Sequence, residues 1–167
     1  MAPTVFIDGE AGTTGLQILE RLKGRNDLSL LHLDDAERKD VSRRKAMLNE
    51  ADLSILCLPD VAAKESVSLI KNPETKVIDA STAHRTAEGW VFGFPDYDNV
   101  YRDKVAKAKR VANPGCYSLC AIAILHPLVS GGLVPADWPI TINAISGYSG
   151  GGKSLIAEFE DGADKSA

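Results

Sequence analysis

Short apolar runs and amphipathic stretches take turns along the first two thirds of this chain. The segment TVFIDG is a β-branched apolar run that stops on Gly9, and in EAGTTGLQILERLKG the residues Leu16, Leu19 and Leu22 recur at helical spacing. Together they predict strand, tight turn and helix. LSLLHLDD then reads as an apolar strand ending in Asp34 and Asp35, and the polar VSRRKAMLNEA as a helix. DLSILCLPD is a continuous apolar run closed by proline, a helix follows from Val61 to Ile70, and TKVIDAS gives a fourth strand. Four strands separated by helical segments are the pattern of a parallel sheet with crossover connections.

The middle is less regular. TAHRTAEGWVFGFPDYDNVYRDKV mixes Gly89, Gly93 and Pro95 with aromatics and reads as a loop-rich excursion with a short strand near Trp90 to Phe94. A strand RVA leads into NPGCYSLCAIAILHPLVSGG, where Leu119 to Leu128 predicts a buried helix stopped by Pro127 and the pair Gly131 and Gly132. ITINAIS predicts one last strand. There is no internal repeat, low-complexity tract or flexible linker, so a domain boundary is expected at a compact junction near Cys116. The final LIAEFEDGADKSA is amphipathic and then polar, like a helix cut off soon after it starts, and the chain is expected to be truncated relative to its own architecture.

Composition narrows the classes. With 44% hydrophobic residues and a net charge of -4, the chain is globular and has no basic surplus to draw nucleic acid or an acidic membrane. No run is long enough to span a bilayer, and the N-terminus meets an acidic residue before a secretory core forms, so a cytoplasmic location is expected. Cys57, Cys116 and Cys120 form no C-x-x-C pair, so neither a disulfide framework nor a zinc knuckle is indicated.

Two turns carry chemistry. GEAGTTG sets Gly9, Gly12 and Gly15 between the first strand and the first helix, and the second strand ends in Asp34, nineteen positions after Gly15. Strand, glycine turn, helix and acidic strand end are the context of a dinucleotide fingerprint, in which a pyrophosphate rests on the helix N-terminus. Asp34 or Asp35 would suit the ribose hydroxyls of NAD, whereas Arg38, Lys39, Arg43 and Arg44 would neutralise the 2′-phosphate of NADP, the reading preferred here. The second turn, ANPGCYS, sets Cys116 behind Pro114 and Gly115 at the first turn of a helix starting with Tyr117. A helix N-terminus favours a thiolate, which is the nucleophilic form, so Cys116 is the catalytic candidate. Cys57 and Cys120 sit among apolar neighbours and read as core.

A third stretch, GYSGGGKS from Gly147 to Ser154, fits the phosphate-loop pattern G-x-x-x-x-G-K-[ST]. Such a loop normally follows an early strand and needs a later strand bearing an acidic magnesium ligand. The thirteen residues after Ser154 do not supply one, which weighs against a phosphate-loop NTPase.

Taken in order, GEAGTTG, IDASTAHR, FGFPDY, ANPGCYS and SGYSGGGKS resemble the N-acetyl-γ-glutamyl-phosphate reductases, most closely their shorter form, across nearly the whole chain. ANPGCYS is the most specific element, because the related aspartate-semialdehyde dehydrogenases differ around their nucleophile. The resemblance implies an α/β fold: a Rossmann-type doubly wound parallel sheet over residues 1–115, then the beginning of a glyceraldehyde-3-phosphate-dehydrogenase-like α+β catalytic domain over 116–167. It implies NADP held by Gly9, Glu10, Ala11, Gly12, Thr13, Thr14, Gly15, Arg38 and Pro59, and a homo-oligomer without metal, nucleic acid or membrane partners. Substrate contacts would come from Arg85, Asn113, Ser146, Gly147, Ser149 and Gly150. Cys116 would attack the acyl phosphate, release phosphate and form a thioester that hydride converts to N-acetylglutamate semialdehyde. A carrier-linked aminoadipyl phosphate is the alternative substrate. The family's acid/base histidine follows the glycine loop, whereas His32, His84 and His126 all precede it, so these 167 residues alone are expected to be nearly inactive. His84 departs from the long-form pattern and is assigned no chemical role.

Overall fold

Each apolar run expected as a strand up to Ala112 forms one in the computed structural model, which describes residues 2–145 and 147–161. The strands are β1 (Thr4–Asp8), β2 (Ser29–Leu31), β3 (Leu53–Leu56), β4 (Lys76–Asp79), β5 (Val91–Phe92) and β6 (Arg110–Ala112). They form one parallel sheet in the order β2-β1-β3-β4-β6-β5. The helices are α1 (Thr13–Leu22), α2 (Val41–Glu50), α3 (Asp60–Leu69), α4 (Asn99–Lys107), α5 (Cys116–Ser130) and α6 (Gly152–Asp161). The chain runs from β1 to β2 on one side and then to β3 on the other, the switch in direction that opens a crevice at the carboxyl ends of a doubly wound sheet.

Register sharpens that crevice. Asp8, Leu56, Asp79 and Ala112 pair in one row across β1, β3, β4 and β6, and it is the last rung of the ladder. The residues that follow, Gly9, Cys57, Ala80 and Asn113, leave the sheet at one edge. Beneath them lies a core of Phe6, Leu33, Leu48, Ala51, Leu56, Ala63 and Val77, built where α2 and α3 pack on the sheet. Asp40 fastens α2 by accepting the N–H groups of Ser42 at 2.7 Å and Arg43 at 3.1 Å, a capping arrangement that stabilises a helix by about 1 kcal/mol.

Several expectations need correction. Residues 99–107 are a helix, α4, not loop: no residue of α4 is buried, so apolar periodicity is weak, and Asp98 starts it by accepting the Tyr101 N–H while Lys104 and Lys107 suit its C-terminus. β2 ends at Leu31, and Asp34 belongs to the turn after it, where its carbonyl accepts the Glu37 N–H. The helix at Leu119 to Leu128 begins at Cys116, passes through Pro127 and runs to Ser130. Pro127 lacks only its own N–H bond, and the helix ends at Gly131, whose N–H reaches the Pro127 carbonyl at 3.0 Å.

That helix is not buried, and Cys120 is exposed rather than core. No residue of α5 is fully buried: His126 packs on Tyr97 at 3.7 Å between ring centroids, but Ile124 is 65% exposed. The ITINAIS strand is likewise absent over residues 141–145: a strand exists only through its ladder, and none of the described strands pairs with it. Ile142 and Ile145 face solvent there.

The division between a packed first part and an open α5 gives a stability prediction. Leu48→Ala, at a side chain with no exposure, is expected to cost about 2–5 kcal/mol in urea unfolding. Val61→Ala, on the exposed face of α3, is expected to change stability by less than about 0.5 kcal/mol.

Candidate functional site

The turn after β1 is set by crowding. Gly9 has φ of +90°, and a Cβ there would lie 2.4 Å from the Cys57 carbonyl oxygen, so no other residue fits without moving β3. A Cβ at Gly15 would lie 2.2 Å from the Gly9 carbonyl oxygen. The Gly12 N–H closes the turn on that same oxygen at 3.0 Å, and Gly12 caps α1 without a side-chain bond. The first turn of α1 therefore presents its backbone to the crevice, with the positive end of the helix dipole behind it.

Two cavities flank the turn. One, of about 370 Å³, is lined by Gly9, Glu10, Ala11, Leu33, Asp35, Arg38, Lys39 and Leu58 among others. The second, of about 350 Å³, is lined by Gly12, Thr13, Thr14, Cys57, Leu58, Pro59 and Ala80. Eight of the nine residues assigned to the cofactor thus line these two cavities, and the ninth, Gly15, is buried in α1.

The four basic candidates separate. Arg44 is buried and bonds Asp8 with Nε at 3.2 Å and Nη2 at 3.0 Å, and its Nη2 also reaches Ser66 Oγ at 2.6 Å. Ser66 Oγ donates to the same carboxylate at 2.7 Å. Burial opposes the Arg44 charge, but the bonds and charge of Asp8, helped by Glu65, hold the guanidinium above its ordinary value. Arg44 is therefore committed to the fold, a correction to its reading as a phosphate ligand. Arg43 pairs with Glu37 at 2.8 Å. Arg38 pairs with Asp35 at 3.0 Å, yet its Nε is buried without a hydrogen-bond partner. A buried donor of that kind costs about 1–3 kcal/mol, and here it lies in the wall of a cavity that also holds Lys39.

Farther along the edge, the Cys116 turn leaves β6. The Asn113 N–H donates to the Asp79 carbonyl at 2.7 Å, Gly115 caps α5, and Cys116 is its first, exposed residue. Arg85 Nε donates to the Asn113 carbonyl at 3.2 Å, and its guanidinium lies against Gly115, where an added Cβ would come within 2.8 Å of Nη1. Arg85, Asn113 and Cys116 are thereby brought together. Gly147 and Gly150 close a tight turn, with the Gly150 N–H on the Gly147 carbonyl at 3.0 Å, and lead into α6, which packs against α1. Ser146 and the side chain of Ser149 lie outside the described residues. No strand leads into this turn over residues 141–145, so the phosphate-loop context is missing.

Sequence reasoning missed His84. It is buried, with Nδ1 2.6 Å from Asp79 Oδ2 and its ring stacked on Trp90 at 4.1 Å between centroids. The sequence offers only an aspartate at a strand end five residues before a histidine, in the polar stretch STAHRT, which does not announce the burial that joins them.

A family model described as semialdehyde dehydrogenase, dimerisation domain, matches residues 116–163. The chain is 58% identical over 158 residues to N-acetyl-gamma-glutamyl-phosphate reductase 2 of Pseudomonas putida, covering 95% of this chain and 50% of that protein. It is 59% identical over 160 residues to N-acetyl-gamma-glutamyl-phosphate reductase of Chelativorans sp., covering 96% and 52%. The chain spans about half the length of the curated relatives it matches. Among solved structures, aspartate semialdehyde dehydrogenase II of Vibrio cholerae complexed with ASA aligns with a TM-score of 0.68 at 16% identity, covering 96% of this chain and 51% of that one. Aspartate semialdehyde dehydrogenase of Francisella tularensis aligns with a TM-score of 0.63 at 17% identity, covering 94% and 48%. These two establish likeness of fold. No helix of the described residues is long and apolar enough to cross a membrane, and none of their acidic, cysteine and histidine side chains form a group of three that would hold a metal ion.

Cys57 is expected to stand apart from the two exposed cysteines in alkylation. Burial, with the Asp8 and Asp79 carboxylates, pushes the Cys57 thiol from 9.0 up to about 11. At pH 8 only about one Cys57 in a thousand is thiolate, so iodoacetamide should label Cys116 and Cys120 and spare Cys57. Because the folded state holds this proton more tightly, the stability it lends is complete below pH 9 and is lost as pH rises from 9 towards 11. Peptide mass spectrometry after alkylation at pH 8 and pH 10.5 checks the first point, and urea unfolding across the same range the second.

Proposed function

We propose that this chain, a homologue of the N-acetyl-gamma-glutamyl-phosphate reductases over about half their length, carries the dinucleotide site and nucleophile of an NADPH-dependent reductase of N-acetyl-γ-glutamyl phosphate. One observation carries the reading. A single sheet edge holds both a glycine cradle and, after β6, an exposed cysteine at a helix N-terminus with an arginine packed on its cap. The names of the relatives favour this substrate over a carrier-linked aminoadipyl phosphate.

The residues present fit NADP. A Cβ would fill the cradle at Gly9 and Gly15, α1 has no side-chain cap, and the buried Arg38 Nε lacks a partner in the first cavity. In this reading the backbone of Gly9 to Gly15, with Glu10, Ala11, Thr13 and Thr14, holds the pyrophosphate, and Pro59 borders the second cavity. Arg38, beside Lys39, receives the 2′-phosphate, so residues 1–115 form the dinucleotide domain. When bound, the nicotinamide supplies a hydride.

Residues 116–167 begin the catalytic domain. The Cys116 thiolate attacks the acyl carbon, the bond to the phosphate oxygen breaks, and inorganic phosphate leaves as a thioester forms. Arg85 suits the leaving phosphate with its planar fork, Asn113 borders the acyl group, Gly147 and Gly150 offer close backbone approach, and Ser146 and Ser149 are assigned to the substrate with them. The covalent step replaces one difficult displacement with two easier ones. Assembly with further copies belongs to this reading and is supported by the description of the family model at 116–163; so does a cytoplasmic location.

Equilibrium fluorescence titration of the chain tests the cofactor half. NADPH is expected to bind at least about tenfold more tightly than NADH, and magnesium-ATP should not displace it. Arg38→Gln is expected to remove most of that preference, lowering NADPH affinity about tenfold while leaving NADH nearly unchanged. Firm ATP binding without dinucleotide binding would reverse the reading.

A further inference from the structure

The loop between β4 and β5 is fastened at its start and in its middle, and the middle fastening has no place in the chemistry above. At its start Thr82 donates its N–H to Asp60 Oδ1 at 3.0 Å and its hydroxyl to Oδ2 at 2.5 Å. That hydroxyl bond, with the Thr82 N–H and the charges of Lys64 and Arg85, holds the Asp60 carboxyl below the usual range against its partial desolvation. In its middle His84 turns inward to the carboxylate of Asp79, which has no exposure and also accepts the Ser81 N–H at 3.0 Å and hydroxyl at 2.7 Å. Against a carboxylate acceptor, Nδ1 of His84 is the donor. Trp90 stacks on a face of the ring. The next residue, Arg85, reaches the Asn113 carbonyl instead.

These contacts close a ring. The Asp79 carboxylate holds His84, His84 precedes Arg85, Arg85 Nε holds the Asn113 carbonyl, and the Asn113 N–H returns to the Asp79 carbonyl at 2.7 Å. Arg85 is half-buried on a long side chain, and a free side chain of that length would lose much of its rotamer freedom to stay over Gly115. The backbone bond nearest to it, Arg85 N–H to the Thr82 carbonyl, is long at 3.4 Å and does not fix it.

We propose that Asp79 and His84 are a positioning pair that sets the Arg85 guanidinium on the Gly115 cap, beside Cys116. The pair touches neither substrate nor cofactor and acts only through Arg85. This rests on the reading of Cys116 as nucleophile and Arg85 as its cationic neighbour.

The test measures iodoacetamide alkylation of Cys116 relative to Cys120 in the same chain at fixed pH, with intact folding checked by thermal melting. Cys120 is exposed one helical turn farther on and reports any general opening of α5. Arg85→Ala is expected to lower the ratio about three- to fivefold, as loss of a cation beside a thiolate does. His84→Ala should lower it equally. His84→Asn, which can place an N–H where Nδ1 stands, should restore most of it, and His84→Ala combined with Arg85→Ala should lower it no further. Should His84→Ala fail to fold, Asp79→Asn takes its place with the same expected loss. An unchanged ratio in His84→Ala or Asp79→Asn beside a lowered one in Arg85→Ala overturns the positioning pair alone, as does additivity in the double variant. An unchanged ratio in Arg85→Ala overturns the pair together with the role given to Arg85. Neither result bears on the dinucleotide titration.

Discussion

The end of β1 passes so close to the end of β3 that residue 9 has no room for a side chain, and much of the crevice follows from that approach. The Cys57 N–H bonds the Asp8 carbonyl at 2.8 Å, and the chain leaving β1 must then climb over the Cys57 carbonyl with a positive φ. The climb exposes the backbone of the glycine turn on one side and traps Asp8 on the other. A buried carboxylate needs a cation and further donors, and Arg44 from α2 with Ser66 from α3 supply them. One carboxylate therefore ties three elements together just below the crevice. The commitment of Arg44 also decides the charge left above it, where Arg38 and Lys39 face the cavity.

The same solution recurs two strands away. Asp79 shares the last rung of the sheet with Asp8, is equally enclosed, and is satisfied by the segment that follows it: Ser81 and His84. In each case a strand ends on a buried carboxylate and the chain then enters a loop bearing candidate site residues. The two carboxylates also act on what lies between them, since both help burial to keep the Cys57 thiol neutral. A half-buried thiol one residue beyond β3, in the wall of the second cavity, is thereby held in its protonated form while Cys116 stands in solvent.

How legible this was depended on where each signal arises. Strands β1, β3 and β4 and the glycine turn were readable because apolar runs closed by Gly9, Pro59 and Asp79 are local patterns with local causes. Arg38 and Arg44 looked alike in sequence and both border the first cavity; only the fold separates them, by binding the Arg44 guanidinium to Asp8 and Ser66 while leaving the Arg38 Nε without a partner. His84 was illegible for the same reason: its partner is close in sequence, but the burial that joins them is made by Trp90 and the sheet. Helix α4 was missed because it buries nothing, so its cap at Asp98 was the sole cue.

The opposite failure, at α5 and the ITINAIS segment, says something about the cysteine. Apolar sequence records that a segment is suited to burial, and not which surface covers it. Leu119, Ile124, Ile142 and Ile145 meet no covering element among the described residues, so neither a buried helix nor a strand results. Cys116 nevertheless has a defined place, because it is fixed from the sheet side. The Leu119 N–H bonds the Gly115 carbonyl at 2.9 Å, Gly115 lies under Arg85, and Asn113 hangs from Asp79. The thiol is held at the cap of its helix, and the body adds a contact between His126 and Tyr97 about three turns farther on. What covers the rest of α5 can therefore change the pocket around Cys116 while the cysteine keeps its position at the edge of the sheet.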